Sequence, residues 1–410
     1  MNGTVHHLPL EIRFLRQLAK RLHEYGAAAY RIEGAIRAVS DKLRFDCDVF
    51  SNPTSILLSF RPAGSDEDDT LPSQMIRVAP GGIDLGKLRF VDEVSEKVSS
   101  GEMSIAQGYH LLKAAPYLLA QPKMLPQVLA WGGVACSVTA VLGAGLQSVI
   151  AAGVVGTVIA ILDQTLGKKL RPYGSWEPIA AFTAAVMTAL FASQFPVEAS
   201  IVNLAAILIM VPGLGLTIGV NELTTEHLVS GTARLAGSVV VLLQLAFGVV
   251  IGTQLVGAFV SSMPLDSAIT LVDWSFWPAI LVSAFSFGVL FCVDRRDFPI
   301  AMLAAVISFV VSRYAEPYLF GSLNVFVAAL IIAALSNGYA RWQNRPAMIV
   351  RLPGIIALVP GSVGYNSLSL MFANDTLLGI EMTAKLLVIL ASLVGGLAIG
   401  NSLVPPRRYL

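Results

Sequence analysis

The sequence predicts a mainly α, polytopic membrane protein: ten transmembrane helices forming a 5+5 inverted repeat behind a small N-terminal cytoplasmic α+β domain. Three observations carry this reading. Charge is segregated, with 15 Lys/Arg and 15 Asp/Glu in residues 1–123 against 13 and 12 in the remaining 287. That remainder is a succession of apolar runs separated by short polar turns. Within it, Ile201 to Gly252 recurs as Ile349 to Gly400 without a gap, fifteen positions being identical at a constant offset of 148.

In the charged front end, Leu8, Ile12, Leu15, Leu18, Leu22 and Tyr25 recur every three or four positions, which predicts a helix with one buried face. Packing in a soluble core is preferred to lying on a membrane surface. A second helix is expected over Tyr30–Leu43. The β-branched and aromatic residues of Asp48–Phe60, around Pro53, suggest strand structure, with Met75–Val78 as a partner after an acidic loop at Asp66–Asp69. Helices over Leu85–Ser99 and Ile105–Leu119 complete an α+β domain, 1–123. Its first thirty residues are interrupted by Glu11, Arg13, Arg16, Lys20, Arg21 and Glu24 rather than carrying a signal-peptide core, so this domain is expected in the cytoplasm.

A helix needs about 20 apolar residues to cross a hydrocarbon core of about 30 Å. Runs of that kind lie at 125–145, 147–163, 177–195, 199–218 and 232–259, and again at 274–293, 299–314, 320–339, 347–365 and 380–403. Adding 148 to the first five lands each on one of the second five. The expected repeat units are therefore 124–260 and 272–404. With the front end inside, the cytoplasmic loops receive Lys168, Lys169, Arg171, Arg295, Arg296, Arg341 and Arg345, and the C-terminal tail Arg407 and Arg408; the outer loops receive Arg313. That obeys the positive-inside rule and puts both termini in the cytoplasm. Because five is odd, the second unit enters the bilayer from the opposite side, the inverted construction used by many secondary transporters.

Both copies carry Val-Pro-Gly at the same place, Val211-Pro212-Gly213 and Val359-Pro360-Gly361. Proline removes a helix hydrogen bond and glycine tolerates open backbone, so each span should break there. Inside a bilayer the freed groups must face protein or a water-filled cavity, which makes matched breaks a pointer to a binding site. The candidate substrate-binding residues are Pro212, Gly213, Asn221, Glu222, Pro360, Gly361 and Asn366. The charge or ion-coupling candidates are Asp163, Arg234, Glu381 and Lys385, the last two one helical turn apart and able to pair. Asn203 is a further polar candidate within the fourth span.

The run Ala29-Tyr30-Arg31-Ile32-Glu33, then Pro53-Thr54-Ser55-Ile56 and Ser59-Phe60, resembles the start of the threonine/serine exporter family, whose members show an Arg-x-Glu helix and a Pro-Thr-(Ser/Gly)-Ile strand there. The two Val-Pro-Gly segments are similar to that family's paired proline-glycine motifs, and the match extends over essentially the whole chain. The resemblance implies the fused form of a family whose halves also occur as separate chains, the split relatives being linked to succinate export. It implies export driven by an ion gradient, most plausibly of protons.

The expected function is thus secondary active export of small hydroxy amino acids, threonine or serine, across a bacterial inner (plasma) membrane by alternating access. The partners are a small-molecule substrate, membrane lipid and H+. Export of a small dicarboxylate such as succinate is the alternative; Arg234, Arg313, Arg351 and Lys385 are the cations near spans, and their scarcity favours a zwitterion. A membrane-tethered hydrolase using Ser51, Ser55 or Ser59 with His6, His7, His23 or His110 lacks a nucleophile elbow, and a passive channel would not account for the doubled motif. No Gly-x-x-x-x-Gly-Lys-(Ser/Thr) run is present and no basic stripe suits nucleic acid. Cys47, Cys136 and Cys292 lack metal or redox spacing. No catalytic residue, metal or cofactor is expected.

Overall fold

A computed structural model describes residues 8–62, 64, 73–119, 123–259, 269, 271, 275–319 and 321–406. The acidic Asp66–Asp69 loop, His6, His7, Arg407, Arg408 and the outermost residues of the expected units lie outside this set. The chain is mainly helical. It begins with α1 (Leu10–Glu24) and α2 (Ala29–Lys42), followed by β1 (Phe45–Asn52), β2 (Ser55–Pro62) and β3 (Gln74–Arg77), then α3 (Leu85–Ser99) and α4 (Ile105–Leu118). The strands form one antiparallel sheet in the order β1-β2-β3.

The segment read as strand structure around Pro53 is a hairpin. Proline has no amide to donate to a ladder, so the chain turns there, and the Asn52 side chain holds the turn by accepting from the amides of Thr54 (3.0 Å) and Ser55 (2.9 Å). Ile12, Leu15, Leu18 and Leu22 of α1 are fully buried with Ile32 and Ile36 of α2 and Ile56, Leu58 and Phe60 of β2. A Ser104–Gln107 capping box starts α4. Cys47 faces this core, where burial pushes its thiol up to about 12.

Beyond lie α5 (Met124–Val141), α6 (Leu146–Leu162) with a π turn and a short α7 (Lys168–Leu170) continuing it, α8 (Trp176–Ala192), α9 (Ala199–Ile207), α10 (Gly213–Thr224) and α11 (Leu228–Gly257). Then come α12 (Phe276–Leu290), α13 (Phe298–Ala315), α14 (Leu323–Gln343), α15 (Met348–Ile356), α16 (Gly361–Phe372) and α17 (Thr376–Leu403). Among the described residues seven helices are long and apolar enough to span a membrane, or eight if α9 and α10, bent by 56°, count as one. α8 and α12 are apolar but only 17 and 15 residues long, short of the about 20 that a full crossing asks for.

Packing repeats with the sequence offset. A side-chain carbon added at Gly248 of α11 would lie 2.4 Å from the Pro178 carbonyl and 2.9 Å from Ala181; at Gly396 of α17 it would lie 2.4 Å from the Phe326 carbonyl and 2.9 Å from Ala329. Gly252 and Gly400 press on Ala185 and Ala333 in the same way, and Gly231 and Gly379 on the carbonyls of Gly219 and Ser367. Every one of these partners is 148 residues from its counterpart. This equivalence extends to α8 and α14, outside the segments Ile201–Gly252 and Ile349–Gly400; only small residues let the backbones approach so closely.

Gly248→Ala and Gly396→Ala should each destabilise the protein by about 1–3 kcal/mol through overpacking, read as a lower unfolding temperature in detergent. Gly338→Ala, on α14 with nothing within 4 Å of the added carbon, should instead gain up to about 1 kcal/mol. On α1, burial lowers the pKa of His23 below its usual value, only partly offset by the hydrogen bond to the Asn52 carbonyl. The unfolded chain takes up a proton near pH 6.5 that the folded one resists, so this contribution to stability is complete above that pH and declines as pH falls through it. The unfolding temperature should drop between pH 7 and 5, less steeply in His23→Gln.

Candidate functional site

Both Val-Pro-Gly segments interrupt helices. After Ile207 the chain tightens into a 3-10 turn, Leu208–Met210, and extends at Val211 (φ −65°, ψ 120°); α10 then begins at Gly213 with Pro212 as its N-cap. α15 ends at Ile356 and α16 begins at Gly361 with Pro360 as its N-cap. Proline at these positions starts a new helix because it cannot continue the old one. The two breaks touch. A side-chain carbon on Gly213 would fall 2.0 Å from Val359 Cγ1 and 3.2 Å from the Gly361 Cα, and one on Gly361 would fall 2.8 Å from Val211 Cγ1 and 3.0 Å from the Gly213 Cα.

Beside this contact lies a cavity of about 570 Å³. Val211, Pro212, Gly213, Val359 and Gly361 line it, with the polar groups of Gln127, Asp163, Gln164, Ser283 and Ser362 and an apolar wall that includes Trp131, Phe287 and Phe309. Gly82 and Ile83, between β3 and α3, also reach it. Trp131 and Gln127 are held in place by donating to the carbonyls of Ala206 (2.9 Å) and Val289 (3.0 Å). The volume suits a small organic molecule, and few polar groups against an apolar lining is the usual make-up of such sites.

The remaining sequence candidates are distributed unevenly. Asp163 lines the cavity and pairs with Arg171. Pro360 stands at its break without lining the cavity, and Asn366 is half-buried on α16 away from it. Glu381 and Lys385 are exposed on α17, and no ion pair joins these two described residues. Glu222 is fully buried and its carboxylate is fully engaged: Arg234 donates to both oxygens (3.0 and 3.1 Å), Ser230 donates at 2.9 Å, and the Ala29 amide at the start of α2 donates at 3.0 Å.

That last bond ties the N-terminal elements to the helical ones, and others act beside it. Glu33 accepts from the Ser51 amide (3.0 Å) and lies 3.2 Å from His227 Nε2. The amides of Leu85 and Gly86 donate to the carbonyls of Phe291 (2.9 Å) and Cys292 (3.0 Å). Asp297, almost wholly buried, gathers Arg89 (3.1 Å), Arg345 and the Tyr339 hydroxyl (3.1 Å).

A second, smaller cavity of about 60 Å³ lies between α2, α10, α15 and α17; Arg31, Arg351, Thr217, Asn221 and Asn401 line it, and Leu214 borders both cavities. Sequence reading passed over Arg351 as a site residue, although a single charge inside the apolar run Met348–Ile356 is the signal that marks such positions. Arg31, of the Arg-x-Glu motif on α2, lines the same cavity beside it. Burial alone would raise the Tyr30 phenol pKa, but Arg31 and Arg351 outweigh it and hold it below the usual value.

Arg234→Met should leave the Glu222 carboxylate buried without its counter-charge, at a cost of about 3–5 kcal/mol, seen as a large fall in unfolding temperature. Adding Glu222→Gln to that variant should recover part of the loss.

A family description, "Putative threonine/serine exporter", matches residues 13–256, and "Threonine/Serine exporter, ThrE" matches residues 278–403. Among curated proteins the chain is similar to pheromone-regulated membrane protein 10 of Zygosaccharomyces rouxii, 24% identical over 368 residues that cover 87% of this chain and 37% of that protein. It is similar to the proteins of the same description in Eremothecium gossypii (24% over 370 residues, 87% and 48%) and Saccharomyces cerevisiae (24% over 386 residues, 89% and 49%). The chain spans less than half the length of these relatives. No solved structure matches. The apolar helices and the membrane-protein relatives agree on a multi-pass membrane protein, and with one family description on each set of helices, the chain belongs to the threonine/serine exporter family.

Proposed function

We propose that the protein is a secondary active exporter of threonine and serine, coupled to protons, working by alternating access across an inner (plasma) membrane. The observation that carries this reading is the contact between the two Val-Pro-Gly breaks at the wall of the larger cavity. In the proposed architecture 1–123 is a cytoplasmic domain, and 124–260 and 272–404 are five-span units of opposite orientation, with α9–α10 and α15–α16 as the broken fourth and ninth spans. α8 and α12 complete the ten. The packing equivalences at an offset of 148 support two like units, and the odd number of spans in each inverts the second. Both termini then face the cytoplasm, as do the turns carrying Glu222 and Asp297 that bind the N-terminal domain.

A zwitterion of threonine's size suits a cavity with polar groups and helix starts at Gly213 and Gly361, whose amides favour a carboxylate. Asp163 is the acid in that cavity and the proposed proton carrier, its charge balanced by Arg171. Rocking of the units about the glycine contact would open the cavity first to one face and then to the other. A small dicarboxylate is the second reading, favoured by the two arginines at the smaller cavity.

Reconstituted vesicles should show saturable counterflow of labelled threonine or serine, and absence of counterflow for these and for succinate would overturn the reading. Pro212→Ala and Pro360→Ala should lower flux about tenfold or more while shifting the unfolding temperature little. Asp163→Asn should keep counterflow but lose uptake driven by an imposed pH gradient.

A further inference from the structure

The smaller cavity is positively charged without a counter-charge. Arg351 is 8% exposed and donates only to neutral oxygens, those of Ser336 (3.1 Å), Asn337 (2.7 Å) and Asn401 (2.7 Å). Arg31, 5% exposed, donates to the Tyr30 hydroxyl at 3.3 Å, its guanidinium carbon 5.7 Å from the ring centroid. Among the described residues no ion pair reaches either guanidinium. The carboxylate one turn away on α10, Glu222, is already committed to Arg234, Ser230 and Ala29. Buried cations left unpaired are costly, and two close together more so. Facing the same space is Thr217, 3% exposed, whose hydroxyl has no hydrogen-bond partner.

An orphaned buried hydroxyl beside two uncompensated guanidinia is the donor set of an anion site, since arginine's planar fork matches a carboxylate. About 60 Å³ admits a group of that size. We propose that this cavity binds the carboxylate group of a small organic acid, with Arg351 and Arg31 neutralising it and the Thr217 hydroxyl donating a hydrogen bond. The ligand ties α2 of the N-terminal elements to α10, α15 and α17, so its presence stiffens their contact. Its source is either the transported amino acid or a separate small acid. The site itself does not depend on the transport reading.

The test uses the full chain in detergent, titrated at constant ionic strength with acetate, L-threonine, succinate, inorganic phosphate and threoninol, which lacks the carboxylate. Heat of binding and unfolding temperature are both recorded. At least one carboxylate should bind saturably and raise the unfolding temperature, and threoninol should not. Thr217→Val should weaken that binding tenfold or more while its ligand-free unfolding temperature stays level or rises, because an apolar isostere removes an unsatisfied hydroxyl. Arg351→Gln should abolish binding; if that variant does not fold, Thr217→Val decides. Threonine competing with acetate identifies the transported molecule as the source, whereas acetate binding unaffected by threonine identifies a separate acid, and either supports the site. Binding by no carboxylate, binding by phosphate alone, or unchanged affinity in Thr217→Val would overturn it. Counterflow in vesicles reports on transport independently of these titrations.

Discussion

Gly213 and Gly361 approach so closely that neither has room for a methyl group, and this contact governs the arrangement around it. Two interrupted helices can meet backbone to backbone only where both lack side chains. Peptide groups that a break leaves outside helical bonding must, inside a bilayer, be paired within the protein, as the Gly213 amide is with the Val211 carbonyl (2.8 Å), or face an aqueous space. The larger cavity lies beside the contact. The same demand for close approach recurs outward, where Gly248, Gly252, Gly396 and Gly400 let α11 and α17 sit against α8 and α14.

Buried charge fastens the N-terminal elements to this helical frame. Glu222 and Asp297 are buried carboxylates near helix ends, and each binds a group of the N-terminal elements, the Ala29 amide and Arg89, beside a cation of the helical part, Arg234 and Arg345. A buried pair of this sort adds little net stability but is costly to break on one side, so it fixes relative position more than it strengthens the fold. Gly82 and Ile83 reach the larger cavity from the same elements, which links their docking to access.

The two copies agree in backbone contacts and differ in chemistry. Arg351 stands where the first copy has Asn203, and Thr217 where the second has Tyr365. Asn203 and Thr188, the counterpart of Ser336, are buried with unsatisfied oxygens, whereas Ser336 and Asn337 hold Arg351. At the matched pair Arg351 and Asn203 the second copy carries a charge and the first a neutral amide.

Apolar run length, the offset of 148 and the paired Val-Pro-Gly segments are local or strictly periodic features, so the helical content, the breaks at Pro212 and Pro360 and the candidacy of Asp163 were legible in the chain alone. Pairing between remote residues was not. Glu222 reads as a free polar group in sequence, yet folding commits it to Arg234 and to the Ala29 amide. Glu381 and Lys385, spaced to pair, stay apart on an exposed face. Arg31 and Arg351 lie 320 positions apart in the sequence, and only the fold brings them to one cavity. A charged group's partner is set by three-dimensional proximity and burial, quantities that residue spacing does not encode beyond a turn or two of helix.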